Sequence, residues 1–366
     1  MGGGGSAAQG RGPQRGADRR TRLRDRRARD AAGERSGGNG VRIWDCHSDV
    51  LSRLLDRPLE AFLSAQPQGD APEDGLHCTL ERLEAGGVGA LVCALFTRDG
   101  RGEHPVVRTA RMIDIAHRLE RESAGRVRVA TPGRRVADIV DGGAIALVLS
   151  IENGVACLEH IELLRTWRRL GVRAMGLVWN GRNAIADGCG EEETGGGLTR
   201  FGREVVDEMQ RLGMLVDVSH LSESGFWDVL ERARAPVIAS HSNARALCEH
   251  PRNLRDEQIR AIAETGGVIG VNLFSAFLVA DGARATIDDV VAHVHALLER
   301  AGEDAVGIGS DFDGIPDGPQ GLEHPGRYGA LVSALEASGL RGPVLQKILW
   351  GNFARVFGTA GTGHGR

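Results

Sequence analysis

From residue 41 onward, short apolar runs rich in β-branched residues alternate with stretches whose apolar positions recur every three or four residues. The spacing predicts strands over Val41–Asp45, Val88–Phe96, Ala144–Ile151, Val172–Trp179, Leu215–Val218, Pro236–Ser240, Gly267–Leu273 and Ala305–Gly309. Between them it predicts helices, among them Leu158–Leu170, Phe201–Leu212, Ser222–Ala233, Asp256–Glu264 and Ile287–Arg300. Thr286, ahead of Ile287-Asp288-Asp289, suits a helix cap, and Ser222 is a weaker candidate. Strands that alternate with helices predict a parallel α/β sheet, closed as a (β/α)8 barrel or open and doubly wound. No repeat of 20–50 residues appears beyond the βα unit itself.

The polar residues that end these strands change the picture. The first strand runs into Asp45-Cys46-His47-Ser48-Asp49, and the third ends at Ser150-Ile151-Glu152. The fifth ends at Asp217-Val218-Ser219-His220, the sixth at Ser240-His241-Ser242, and the eighth at Ser310-Asp311-Phe312-Asp313. Taken singly, the His47–Asp49 pair reads as a strand turning into a polar loop, His220 as a hydrogen-bonded histidine and His241 as a turn residue, whereas Glu152 and Asp311, each after an apolar run, are harder to dismiss. In a (β/α)8 barrel, however, C-terminal strand ends converge on one catalytic face, so five strands would deliver His, Asp or Glu to one mouth. Residues 47 and 49, two apart in a strand, point to the same side. Glu152 follows an apolar run and needs a partner there.

Three imidazoles (His47, His220, His241) and two carboxylates (Asp49, Glu152) exceed the ligand set of one catalytic zinc. They suit two metals sharing a carboxylate. Some binuclear barrels bridge their metals with a carboxylated lysine. The only lysine here, Lys347, lies in a C-terminal helical stretch, which leaves Glu152 as the best-placed bridge. The same scarcity excludes a Walker-type phosphate loop and a Schiff-base lysine on the first seven strands.

Composition and charge narrow the remaining classes. Residues 1–40 hold ten arginines and four acids, whereas the whole chain has a formal charge of −4, so the basic character belongs to a tail. That tail is Gly- and Arg-rich, has no apolar face, and is expected to be disordered. It has neither the apolar stretch of a signal peptide nor aromatics interleaved for base stacking. No segment approaches 18 consecutive apolar residues. The expectations are therefore no nucleic-acid partner, no membrane partner and a cytoplasmic protein whose six cysteines are reduced. The expected organisation is a tail over 1–40, a metallohydrolase barrel over 41–358 and a flexible end over 359–366.

The motifs DCHSD (45–49), SIENG (150–154), VDVSH (216–220), ASHSNARALCEHPRN (239–253) and GIGSDFDG (307–314) together resemble one family. It is the renal, or membrane, dipeptidase family of zinc metallopeptidases, family M19, within the amidohydrolase-like superfamily. The likeness continues through GLEHPGRY (321–328) to GNFARVFG (351–358), covering about residues 41–358. The resemblance implies an α/β, (β/α)8 TIM barrel with a binuclear metal site at the C-terminal strand ends. It implies two Zn(2+) per chain, with His47 and Asp49 on the first, His220 and His241 on the second, and Glu152 bridging. Arg252 then matches the arginine that grips the substrate's C-terminal carboxylate, a planar anion suited to a guanidinium fork. Asp311 matches the acid that passes a proton, and Asp313 is expected to brace its loop. The implied activity is hydrolysis of a small dipeptide, with a D- or dehydro-residue accepted at the C-terminal side, by a metal-bridging hydroxide. A homodimer is also implied.

One departure stands out. Mammalian members end the fourth strand in a Thr-His pair whose histidine contacts substrate and helps hold the oxyanion. Here Trp179 takes that place, followed by Asn180, with Asn183 nearby; an indole N–H or an amide would have to substitute. Two alternatives stay open on this ground: a metal-dependent amidase or lactonase on a small metabolite, and an inactive barrel that acts as a binding protein.

Overall fold

The computed structural model describes residues 42–64, 75–98, 102–280 and 282–359, with Met1, Gly2 and Gly100. The chain divides into the units Met1–Gly40 and Val41–Arg366. The tail expected over residues 1–40 falls, apart from its first two residues, outside the described residues. So does the C-terminal end beyond Thr359, the last residue of the final helix.

Nine parallel strands form in chain order: β1 (Ile43–Ser48), β2 (Val88–Phe96), β3 (Val127–Val129), β4 (Ile145–Glu152), β5 (Val172–Gly176), β6 (Leu215–Asp217), β7 (Ile238–Ala239), β8 (Val268–Val271) and β9 (Val306–Ile308). β1 pairs with both β2 and β9, β2 pairs with β4, and β4 through β9 pair in succession, which closes a ring of eight. The chain is thus a (β/α)8 barrel, and the open doubly wound alternative is set aside. The ninth strand, β3, lies outside the ring and shares one edge of β4 with β5. At three residues (VRV) it was too short to read from pattern. β2 and β4 are near-continuous apolar runs, as strands covered on both faces must be.

Trp44, Val92, Val148, Ala174, Leu215, Ile238 and Val268 come from seven of the eight ring strands, yet belong to one buried cluster. Side chains from opposite strands can meet only inside the ring. Phe353, Val356 and Phe357 of the last helix (Asn352–Thr359) join this cluster, and Trp44 stacks on Phe357 with ring centres 5.3 Å apart. The larger cluster packs the helices onto the outside of the barrel. Helix boundaries fall within a few residues of expectation. Asp256–Glu264 matches at both ends, and Thr286 caps Ile287–Ala301 in a capping box with Asp289. Ser222, the weaker candidate, also caps, accepting from the Gly225 N–H at 3.1 Å.

Two strand ends depart from expectation for local reasons. β1 runs on to Ser48 because Asp45 binds it to the loop after β9, accepting from Ser310 N and Oγ at 2.9 and 2.6 Å and from Tyr328 Oη at 2.7 Å. β5 stops at Gly176, since the Leu177 carbonyl turns to the Gly154 N–H and the Asn183 amide. Glycine decides the closure between β7, β8 and β9: a methyl on Gly270 or Gly309 would run into the Ser240 carbonyl. Among the described residues no helix is long and apolar enough to cross a membrane.

Gly309→Ala is expected to lower stability by at least ~2 kcal/mol through overpacking. Gly329→Ala, on an exposed helical position where a methyl meets nothing within 4 Å, should raise it by about 0.5–1 kcal/mol. Thermal melts of the two variants check both.

Candidate metal centre

The C-terminal ends of β1, β4, β6, β7 and β9 bring His47, Asp49, Glu152, His220, His241 and Asp311 into one buried cluster. Glu152 lies at its centre. One of its oxygens, Oε1, is 3.1 Å from His220 Nε2, and the other, Oε2, is 3.4 Å from His47 Nε2. On the His47 side, Asp49 Oδ2 and Asp311 Oδ1 stand 3.7 and 3.9 Å from the same Nε2. On the other side, His241 Nε2 is 2.9 Å from His220 Nε2. Two groups that could hold a metal ion, Glu152–His220–His241 and His47–Asp49–Asp311, therefore meet at the Glu152 carboxylate, the atoms of each group lying within 4.8 Å of one another.

The hydrogen bonds behind the cluster fix which nitrogen faces inward. The Ser240 hydroxyl donates to Asp217 Oδ2 and accepts from His241 Nδ1 at 2.7 Å and from His47 Nδ1 at 3.2 Å. One hydroxyl proton and two lone pairs are thereby all used. His220 Nδ1 donates to Asn180 Oδ1 at 2.8 Å. Every Nδ1 carries its proton outward, so it is the Nε2 atom of each ring that faces the centre, where it can take a metal or a second proton. His47 Nε2 is buried with no hydrogen-bond partner. The 2.9 Å approach of His220 Nε2 to His241 Nε2 needs a shared proton or a metal cation. A third grouping, His47–Asp217–His241, is already filled by the Ser240 hydroxyl and is a hydrogen-bonded knot.

Electrostatics give the same answer. Burial, then the Glu152 charge, pushes the Asp49 carboxyl up to about 7. Burial pushes Asp311 up to about 6; there the Glu152 charge raises it further against the pull of His47. Burial also works to raise Glu152, but bonds from His220 and His47 outweigh it and hold that carboxyl low. Burial and the Arg252 charge bring His220 down to about 4, and burial, then His47 and Arg252, push His241 well below its usual value. Burial works to lower His47, but the bonds and charges of Asp49 and Glu152 push that imidazole well above its usual value; a metal cation would take the place of this proton and let the carboxylates ionise beside neutral imidazoles. The donor set and the orphaned nitrogen fit divalent zinc. Gly314 leaves the needed room, because a methyl there would meet the carboxylates of Asp49 and Asp311.

Backbone strain is concentrated at the site. Asn153, His220, Asp311 and Asp313 all hold positive φ, between 66° and 75°. Asp311 is steadied by the Asn272 amide on Oδ2 at 2.9 Å. Asp313 braces its loop, accepting from the backbone N–H of His77 and Cys78 at 2.7 and 3.0 Å.

Arg252 lies just behind His241, on the loop after β7. It is 6 % exposed; its Nη2 donates to the His241 carbonyl at 3.3 Å, its Nε has no partner, and its Cζ sits 5.6 Å from the Phe277 ring centre. Among the described residues no acid pairs with it. Trp179 is half-buried beside the cluster, its ring 6.3 Å from that of His220. Asn180 orients His220 through its Oδ1. Asn183 is not an available donor: its amide bonds Asn153 Oδ1 and the Leu177 carbonyl, and its own Oδ1 takes the N–H groups of Ile185 and Ala186. Sequence reasoning missed Ser240, Asp217 and Asn272 as supports. Only Asn272 left a signal, as a polar residue inside an apolar strand run.

Fold and site define the class, a metal-dependent hydrolase on a (β/α)8 barrel. The model of the membrane dipeptidase family (peptidase family M19) matches residues 39–364. An uncharacterized dipeptidase of Schizosaccharomyces pombe is 35% identical over 304 residues, covering 78% of this chain and 73% of its own length. Dipeptidase tcpJ of Claviceps purpurea is 34% identical, over 76% of this chain and 68% of its own. Among solved structures, a metallo peptidase from Rhodobacter sphaeroides liganded with a phosphinate mimic of L-Ala-D-Ala superposes with a TM-score of 0.80 at 30% identity, over 87% of this chain and 99% of that one. The chain belongs to the membrane dipeptidase family M19 and is a metallo-dipeptidase, a hydrolase of peptide bonds.

Ser240→Ala frees the tautomers of two histidines at once. It is expected to weaken zinc binding about 10–100-fold, as loss of an outer-shell partner does. Competition against a chromophoric chelator measures it.

Proposed function

We propose that the chain is a two-zinc dipeptidase for short substrates with a free C-terminal carboxylate, D-residues on that side included. The observation that carries the substrate reading is Arg252, a buried guanidinium with no acid partner among the described residues, one residue layer from the metal cluster. A buried cation without an anion is costly, and a carboxylate from the substrate relieves it. The relative liganded with a mimic of L-Ala-D-Ala supports the D-residue. A lactonase or amidase for neutral substrates would leave Arg252 uncompensated.

In this reading His47 and Asp49 would hold one zinc and His220 and His241 the other, with Glu152 shared between them. Bound zinc would supply a nucleophilic water at neutral pH and polarise the scissile carbonyl. The protein does the rest. Ser240 and Asn180 keep the histidine Nε2 atoms turned inward. Arg252 takes the substrate carboxylate as a two-pronged partner, which sets the length of peptide that reaches the centre. Asp311 Oδ1 faces the cluster while Oδ2 is held by Asn272. From there it takes the proton of the attacking water and returns it to the leaving amine. Trp179 replaces the family's histidine with an indole N–H for the oxyanion.

Removal of metal with a strong chelator should abolish dipeptide hydrolysis, and added zinc should restore it. Arg252→Ala is expected to lower kcat/KM for a free dipeptide about 10²–10³-fold. For the C-terminal amide of the same dipeptide the loss should stay under about threefold, because no carboxylate is there to lose. Equal losses on both substrates would contradict the anchor role.

A further inference from the structure

A second arginine follows the strand that stands opposite β7 in the ring. In the ring order β1, β2, β4, β5, β6, β7, β8, β9, strands β2 and β7 stand four places apart in eight, so they face each other. Arg252 follows β7, and Arg98 follows β2. Phe96, the last residue of β2, is in register with Glu152 of β4, so Arg98 starts just above the level of the central carboxylate. Its base is fixed rather than loose. The Thr97 N–H donates to the Glu152 carbonyl at 3.3 Å, the Asn153 amide donates to the Thr97 carbonyl at 2.8 Å, and Arg108 Nε donates to the Phe96 carbonyl at 3.0 Å.

The Arg98 guanidinium lies over Trp179, its Cζ 5.5 Å from the ring centre. Trp179 in turn packs edge-on against Phe96 at 5.4 Å and stands 6.3 Å from the His220 ring. A guanidinium resting on an aromatic face keeps its N–H edges free for a carboxylate. Arg98 is exposed, and among the described residues no acid pairs with it. Exposure alone would make it an ordinary surface residue. Its pinned base, its aromatic support and its start on the strand opposite β7 distinguish it.

Building on the dipeptidase reading, we propose that Arg98, Trp179 and Phe96 form a subsite for the side chain of the substrate's N-terminal residue, and that it selects an acidic one, aspartyl or glutamyl. With the C-terminal carboxylate on Arg252 and the scissile carbonyl at Glu152, a dipeptide extends its N-terminal residue toward β2. Its methylenes lie along Trp179 and Phe96, and its side-chain carboxylate meets Arg98. The two arginines then hold the two carboxylates of the substrate on either side of the metal centre.

The test compares kcat/KM of the zinc-loaded protein on L-Glu–Ala and its neutral isostere L-Gln–Ala, each with D- and L-Ala. Wild type is expected to favour Glu over Gln about tenfold, the scale of one partly exposed charge-assisted hydrogen bond. Arg98→Met should bring that ratio to about one, and Arg98→Glu should turn the preference toward L-Lys–Ala. Melting curves that match wild type separate these effects from misfolding. A wild-type ratio near one, or a ratio that survives Arg98→Met, overturns the subsite while L-Ala–D-Ala cleavage leaves the dipeptidase reading standing. Failure to cleave any dipeptide overturns both.

Discussion

Glu152 is the residue on which the rest of the centre depends. It is the one carboxylate in the cluster with a histidine nitrogen close to each of its oxygens, at 3.1 and 3.4 Å. Because β4 ends there, deep in an apolar run, its charge cannot be left to water; it needs cations on both sides. Every neighbouring feature serves that need. Three imidazoles turn their Nε2 atoms toward it, two further carboxylates crowd the same space, and Gly314 keeps that space open. A barrel mouth suits such a demand because parallel strands from all sides of a ring end at one level.

Behind the ligands a second layer fixes what the first presents. Asp45 and Asp217 do the same job on different strands. Each accepts from the N–H two residues on (His47 or Ser219) and from the backbone N–H and hydroxyl of a serine on a neighbouring strand (Ser310 or Ser240). These bonds stitch β1 to the end of β9, and β6 to the end of β7, at the level of the site. They also explain why left-handed backbone at His220 and Asp311 persists: the surrounding hydrogen bonds over-determine it.

Much of this was legible in the sequence. Eight of the nine strands follow from apolar runs bounded by polar punctuation, and the ligand-type residues fall at their ends, where a barrel would gather them. The missing strand, Val127–Val129, is too short for any period to register. The support layer was mostly hidden, since a serine beside His241 reads as a turn residue until its partners on β6 and β1 are known. Asn180 and Asn183 could not be ranked as substrate donors from their position in the chain. Only the folded loop reveals that the first is bonded to His220 and the second is consumed internally. Arg252 and Arg98 are two among many arginines in the sequence. What sets them apart is burial without an acid in one case and an aromatic support across the mouth in the other.

The central claim, two metals sharing Glu152, is tested most directly by metal content. Zinc bound per chain would be measured by inductively coupled plasma mass spectrometry on wild type and Glu152→Gln after dialysis against zinc. The account predicts two zinc ions per wild-type chain, and at most one once the shared carboxylate is neutralised. A wild type that holds one zinc or none, or a Glu152→Gln variant that still holds two with unchanged affinity, would contradict it.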